Sequence, residues 1–236
     1  MIGVCVPAHN EAAGIARCVD ALQRAAADPA LDGEPVEILV MMDACTDATS
    51  TIVAQCRVHS ATLHARNVGV ARGAGAAVLM TMGARWLAFT DADTQVSSTW
   101  LSDQLSLGAE AVCGVVAVDD WTPYSESVRR AYEAAYMDCD GHTHIHGANL
   151  GVDAAAYRRA GGFPALALSE DVGLVNALLA TGANVAWSAR PRVATSSRRI
   201  GRADGGFASL LNRLSSIAED ALIPLTEPLL PLGRGA

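Results

Sequence analysis

Four times between residues 2 and 90 the chain repeats one pattern, in which a short apolar run stops at a polar or acidic residue and gives way to helical spacing. The runs are Ile2 to Ala8, Val36 to Met42, Ala61 to Ala65 and Arg85 to Thr90. They stop at His9-Asn10-Glu11, Asp43, Arg66-Asn67 and Asp91. Between the first two runs, Ile15, Val19, Leu22 and Ala26 recur at the spacing of one helix face. Parallel strands need helical crossovers, and these are almost always right-handed, so the alternation predicts a mostly parallel central sheet with helices on both faces. The fold class is therefore α/β and Rossmann-like. At 236 residues and 51% apolar composition the chain suffices for one large domain.

Beyond residue 93 the spacing predicts a helix near Ser98 to Leu107, a strand near Ala111 to Val118, a helix over Ser125 to Met137 and a short strand from Ile145 to Val152. Asp153 is placed to cap a short helix. Ser169-Glu170-Asp171 opens another, with Val172, Val175, Leu178 and Leu179 inward and Gly182 as its stop. A last strand is expected at Asn184 to Trp187, an arginine and glycine loop at Ser196 to Gly206, and an amphipathic helix at Phe207 to Ala221.

In open parallel sheets ligands collect at the carboxyl ends of the strands. His9, Asn10, Glu11, Asp43, Arg66, Asn67, Asp91 and Asp93 all fall there, so independent strands deliver one polar rim. Asp91 and Asp93 stand at i and i+2, which on extended backbone points both carboxylates the same way, toward one hard cation. The plainer reading is two acids in a turn; agreement with the rest of the rim favours the metal site. A net charge of −8 argues against a nucleic-acid partner or a polybasic membrane anchor. All 17 basic residues are arginine, which excludes Schiff-base lysine and P-loop chemistry. The six cysteines show no close pairing and read as reduced packing residues of a cytoplasmic protein. No segment has the uninterrupted apolar length of a membrane span.

Val6-Pro7-Ala8-His9-Asn10-Glu11, Asp43-Ala44-Cys45-Thr46-Asp47-Ala48-Thr49, Arg66-Asn67-Val68-Gly69, Asp91-Ala92-Asp93, His146-Gly147-Ala148-Asn149, Gly161-Gly162-Phe163 and Glu170-Asp171 together resemble the family 2 glycosyltransferases. The match in order and spacing runs from residue 2 to about 200. The resemblance implies a single nucleotide-sugar-binding domain of the glycosyltransferase A type, dependent on Mn²⁺ or Mg²⁺ and usually inverting. On that reading residues 1–206 are the catalytic domain, with a nucleotide-binding half at 1–118 and an acceptor-side half at 119–206, and residues 207–236 are a carboxyl-terminal helix and tail. Cys45 stands where many members have serine. The chain lacks the hydrophobic spans and Gln-x-x-Arg-Trp motif of processive synthases, so transfer of a single sugar, a hexose, is expected.

Such a transfer needs the leaving diphosphate neutralised and the acceptor hydroxyl deprotonated. Asp91 and Asp93 serve the first need as metal ligands. Asp171 is the candidate base, because the resemblance puts the family's base at this acidic pair and a helix amino terminus keeps a carboxylate ionised; Glu170 then orients acceptor or sugar. Pro7, Ala8, Glu11, Asp43, Arg66, Asn67, Arg72, Ala92 and Asn149 complete the expected donor contacts, with Asp43 on the nucleoside. Five arginines fall within residues 190–202, and among them Arg199 and Arg202 are expected to reach the diphosphate. His142, His144 and His146 would share a face of a strand. One of them as an extra metal ligand or acceptor contact, and plain loop histidines, are both open; a three-histidine zinc site is disfavoured. The expected partners are a nucleoside-diphosphate sugar and an unidentified acceptor, with packing or homodimer formation through the carboxyl-terminal helix. A sugar-1-phosphate nucleotidyltransferase and a non-catalytic sugar-nucleotide-binding module are the alternatives.

Overall fold

The computed structural model describes residues 1–199 and the helix Phe207–Asp220, the latter with side chains at 209 and 211–216. The first half alternates as expected: β1 (Ile2–Ala8), α1 (Ile15–Ala26), β2 (Val36–Asp43), α2 (Thr49–Gln55), β3 (His59–Leu63), α3 (Val68–Thr81) and β4 (Trp86–Phe89). There follow β5 (Thr94–Val96), α4 (Trp100–Ser106), β6 (Ala111–Val118), α5 (Glu126–Ala135), β7 (Leu150–Asp153), α6 (Ala154–Arg159), α7 (Glu170–Ala180), β8 (Val185–Thr195) and α8 (Phe207–Asp220). The eight strands form one sheet in the order β3-β2-β1-β4-β7-β6-β8-β5. Strands β3, β2, β1 and β4 are mutually parallel. β7 is antiparallel to β4 and β6, and β5 is antiparallel to β8, so the sheet is mostly parallel with antiparallel strands in its second half.

Both faces are covered. One core packs Ile15, Cys18, Val19 and Leu22 of α1, with Trp100 and Leu101 of α4, on Val4, Val6, Ile38 and Val40; the other packs Ala71, Ala76 and Leu79 of α3 and Leu174, Val175 and Leu178 of α7 on Cys5, Leu39 and Phe89. The small residues of α3 have a packing cause. A Cβ on Gly75 would lie 2.3 Å from Cys5 Sγ, so the helix can lie on the sheet only because that position is bare. Tyr124, Val128 and Tyr132 around α5 bury Leu211 and Leu214 of α8, which gives the amphipathic helix an intramolecular seat. No described helix is long and apolar enough to cross a membrane. All six cysteines are free thiols, with Cys5, Cys18 and Cys113 buried and Cys139 exposed.

Several local expectations change. β3 starts two residues earlier than the apolar run suggests, because His59 and Ser60 pair with Leu39 and Val40 although their side chains are exposed. The backbone after β4 is not extended: Thr94 N–H donates to Asp91 O at 3.1 Å, closing a turn over Ala92 and Asp93 that leads into an unforeseen strand, β5. β7 comprises only Leu150–Asp153, so His142, His144 and His146 lie in irregular backbone. On α7 it is Leu174, not Leu179, that faces inward, and Leu179 is 47% exposed. Glu170 explains this. Its side chain is buried, and at 3.6 residues per turn Leu179 lies about half a turn round from it.

Candidate active site

The rim begins where β1 and β2 end. Asn10, at a left-handed φ of 54°, accepts through Oδ1 from the N–H groups of Thr46 at 2.7 Å and Asp47 at 3.2 Å, and Glu11 N–H donates to Thr49 Oγ1 at 2.8 Å. These contacts tie the first two strand ends together. Asp43 is buried, and its carboxylate accepts three backbone N–H groups, from Ala65 at 2.8 Å, Arg66 at 2.9 Å and Asn67 at 2.8 Å. Asn67 in turn caps α3 by accepting Val70 N–H at 3.0 Å. The folded turn walls a cavity of ≈ 400 Å³ lined by Ala44, Cys45, Thr46, His64, Ala65 and Arg66. Ala44 (φ 50°) and Arg66 (φ 48°) are held in left-handed backbone, the kind of strain that persists where surrounding contacts over-determine it.

Asp43, expected on the nucleoside, is thus the brace of the wall beside that cavity. Asp43→Asn leaves one acceptor oxygen for three donors and turns an amide N–H toward one of them. The expected loss is about 1–3 kcal/mol in urea denaturation, from the buried groups left unsatisfied. A change below a few tenths would show that the turn holds itself.

Two arginines flank the Asp91-Ala92-Asp93 turn. Arg72, buried on α3, donates from Nη2 to Asp91 Oδ1 at 2.5 Å and from Nη1 to Glu170 Oε1, and its guanidinium lies 5.9 Å from the Phe163 ring centroid. Gly147 closes over it: a Cβ there would sit 2.2 Å from Nη1. Glu170, expected to orient acceptor or sugar, is buried and paired with Arg72. On the other side Arg198 Nη1 reaches Glu11 Oε2 at 2.7 Å and Nη2 reaches Asp93 Oδ2 at 3.2 Å. Burial, with Asp91 and Glu11 nearby, pushes the Asp93 carboxyl up to about 7 although Arg198 opposes the shift. The turn is thus a place where positive charge is in demand.

Among the described residues no three His, Cys, Asp or Glu side chains form a metal cage. The donor set of Asp91 and Asp93, with side chains 39% and 13% exposed, fits Mg²⁺ or Mn²⁺ of the kind held by one or two carboxylates with water and phosphate oxygens in the remaining positions.

Asp171 is the second residue of α7, next to Glu170 of the same frame. Oδ2 accepts Gly147 N–H at 2.7 Å and Oδ1 accepts Val172 N–H at 2.8 Å, with the side chain partly open. The residue before the pair, Ser169, has φ 60°. The three histidines form a stack against Tyr136: its ring centroid lies 4.2 Å from that of His144, which lies 5.4 Å from His142 and 5.8 Å from His146. Each uses at least one ring nitrogen. His144 Nε2 accepts Met137 N–H at 3.1 Å, His142 Nδ1 accepts His144 N–H at 3.1 Å, and Tyr136 Oη accepts Val116 N–H at 2.8 Å while bonding His146 Nε2 at 3.0 Å. Burial, then the neighbouring histidines, lowers His146 to about 3, which favours the neutral imidazole.

Two expected donor contacts have protein partners in the structure. Asn149 is fully buried, donates to Val115 O and Pro191 O at 2.8 Å each, and accepts Trp100 Nε1 at 2.8 Å; it joins β6, β8 and α4, and both of its amide protons are taken. Arg199 donates to Pro123 O at 2.9 Å and stacks over Tyr124 at 5.1 Å, away from the acids. Arg202 lies outside the described residues. Among the described residues of that segment Arg198, the neighbour that sequence reasoning passed over, reaches the rim. Only its place in the arginine-rich segment signalled it.

The sequence profile of glycosyl transferase family 2 matches residues 3–159. No curated protein sequence matches the chain. Among solved structures, S. aureus TarS 1-349 in complex with UDP-GlcNAc superposes with a TM-score of 0.62 at 15% identity, over 92% of this chain and 66% of that one. Glucosyl-3-phosphoglycerate synthase from Mycobacterium tuberculosis, with Mg²⁺ and UDP, gives 0.61 at 16% over 94% and 76%. Mannosyltransferase PcManGT from Pyrobaculum calidifontis, with GDP-Man and Mn²⁺, gives 0.60 at 17% over 93% and 70%. At these identities the likeness is one of fold, and the chain spans only 60% to 66% of the TarS 1-349 structures.

Proposed function

The chain belongs to glycosyl transferase family 2, and from that premise we propose that it moves a hexosyl group from a nucleoside-diphosphate sugar to an acceptor hydroxyl, with Mn²⁺ or Mg²⁺ and with inversion at the anomeric carbon. The observation that carries the proposal is the Arg72 bridge. By joining Asp91 to Glu170 it holds the turn that would bind the cation and the acidic pair that would supply the base in one buried frame.

Asp91 and Asp93 would hold the cation, which neutralises the leaving diphosphate. Pro7, Ala8, Glu11, Arg66 and Asn67 wall the donor side, and the nucleoside takes the cavity beside Ala44 and Arg66. Asp171 accepts the proton of the attacking hydroxyl. Its position at the start of α7, with N–H groups donating to both oxygens, keeps it aimed. One positioned base suits a single in-line displacement. On this reading residues 1–118 serve the donor and 119–206 the acceptor.

The test is thermal stabilisation by UDP, GDP, ADP, dTDP and CMP, each with and without Mn²⁺. One nucleotide is expected to stabilise only with Mn²⁺, by about 2.7 kcal/mol at a hundredfold excess over its Kd, and Asp93→Ala is expected to abolish the shift. Absence of a shift with every nucleotide would overturn the donor assignment.

A further inference from the structure

Arg198 stands apart from the other charged groups of the rim. Arg72 is enclosed, its side chain 4% exposed, whereas Arg198 is 29% exposed and lies against Glu11 on one side and Asp93 on the other. Four carboxylates, Glu11, Asp91, Asp93 and Glu170, share the two guanidiniums. One of the two arginines is therefore locked in the frame, and the other sits at its mouth on a carboxylate assigned to the metal.

We propose that Arg198 is a resident counter-cation of the donor site: it holds the place of the divalent ion beside Asp93 when no donor is bound, and passes to the diphosphate when metal and donor enter together. This rests on the function proposed above and adds a positioning residue to it. A guanidinium stays charged at all working pH values, so it does not release a carboxylate by losing its proton, and another anion can take it over. Its fork fits a diphosphate, and the incoming cation supplies the positive charge that Asp93 then lacks. The exchange makes metal binding and nucleotide binding cooperative, because each removes an obstacle to the other, and the coupling is reciprocal. The free protein is thereby kept from holding metal without its substrate.

The experiment is calorimetric titration of the full chain with Mn²⁺, alone and in the presence of UDP or GDP, on the native protein and on Arg198→Gln, Arg198→Ala, Arg198→Lys and Arg199→Gln, each checked for folding by circular dichroism. The two neutral variants at 198 are expected to bind Mn²⁺ alone about tenfold more tightly than the native protein, the scale of one lost competing ion pair. In them the gain in Mn²⁺ affinity on adding nucleotide should shrink by a similar factor. Arg198→Lys, which keeps the charge, and Arg199→Gln, whose native side chain bonds Pro123 O and stacks on Tyr124, should match the native Mn²⁺ affinity. Unchanged or weaker binding of Mn²⁺ alone in both neutral variants, with Mn²⁺ and nucleotide still binding the native chain, would overturn this inference and leave the transferase reading standing. Failure of Mn²⁺ to bind any of the proteins even with UDP or GDP would overturn both.

Discussion

Arg72→Met is expected to lower the stability of the fold by about 3–5 kcal/mol, because it strands the buried Glu170 carboxylate without its partner. Against a total of roughly 5–15 kcal/mol for a typical domain this is a large fraction. At about 2–4 °C per kcal/mol for a chain of this size it amounts to roughly 10 °C in Tm. Urea denaturation gives the direct measurement. The double variant Arg72→Met with Glu170→Met should recover most of the loss, since an apolar pair of similar volume replaces a desolvated ion pair at little cost. It should not recover transfer, because Asp91 would still lack the guanidinium that fixes it at 2.5 Å. A single variant less than 1 kcal/mol weaker than the native chain would mean that solvent reaches Glu170 and that the bridge does not frame the site.

The parts of this arrangement that sequence made readable are those written in local pattern. The first β-α units, the β6 run from Ala111 to Val118, the Asp153 cap accepting from Ala155 and Ala156, and Gly182 at φ 76° after α7 all follow from neighbours a few residues apart. So does the polar rim, because it depends only on where strands stop. What stayed hidden is partner choice at long range. Arg72 and Glu170 are 98 residues apart, and Arg198 and Glu11 are 187 apart. Nothing in the pattern around Arg198 and Arg199 says which side chain turns to the acids and which to Pro123. Asn149 is the same case: a motif residue at a strand end reads as a ligand contact until its three amide bonds are seen to be spent on Val115, Pro191 and Trp100. The i and i+2 argument for Asp91 and Asp93 takes the backbone as extended, because an apolar run followed by acids does not reveal the Thr94 hydrogen bond that folds it back.

The acidic pair is where local pattern and long-range contact must be combined, and Asp171→Asn tests the result. Glu170 is buried behind Arg72, so within the pair the proton acceptor falls to Asp171. Its two oxygens take one N–H each, and a carboxylate has about four lone-pair sites, so capacity remains for an acceptor hydroxyl. Asparagine keeps the shape and can still accept from Gly147 N–H through its carbonyl oxygen; the fold should therefore lose less than about 1 kcal/mol, as expected for a partly open side chain with one bond retained. Turnover should fall by about 10²–10⁴-fold, the usual contribution of a positioned general base. In barrier terms that is about 2.7–5.5 kcal/mol. Stabilisation by Mn²⁺ with the cognate nucleotide should stay as in the native chain, because the donor side does not use Asp171. The release of nucleoside diphosphate from the donor sugar, to acceptor or to water, measures the loss, and it should appear in kcat with the donor KM unchanged. A variant with donor binding intact and turnover within a few-fold of native would move the base off α7. Loss of nucleotide binding together with turnover would instead show that the amino terminus of α7 is coupled to the donor side through Gly147 and Arg72, the two groups that touch both.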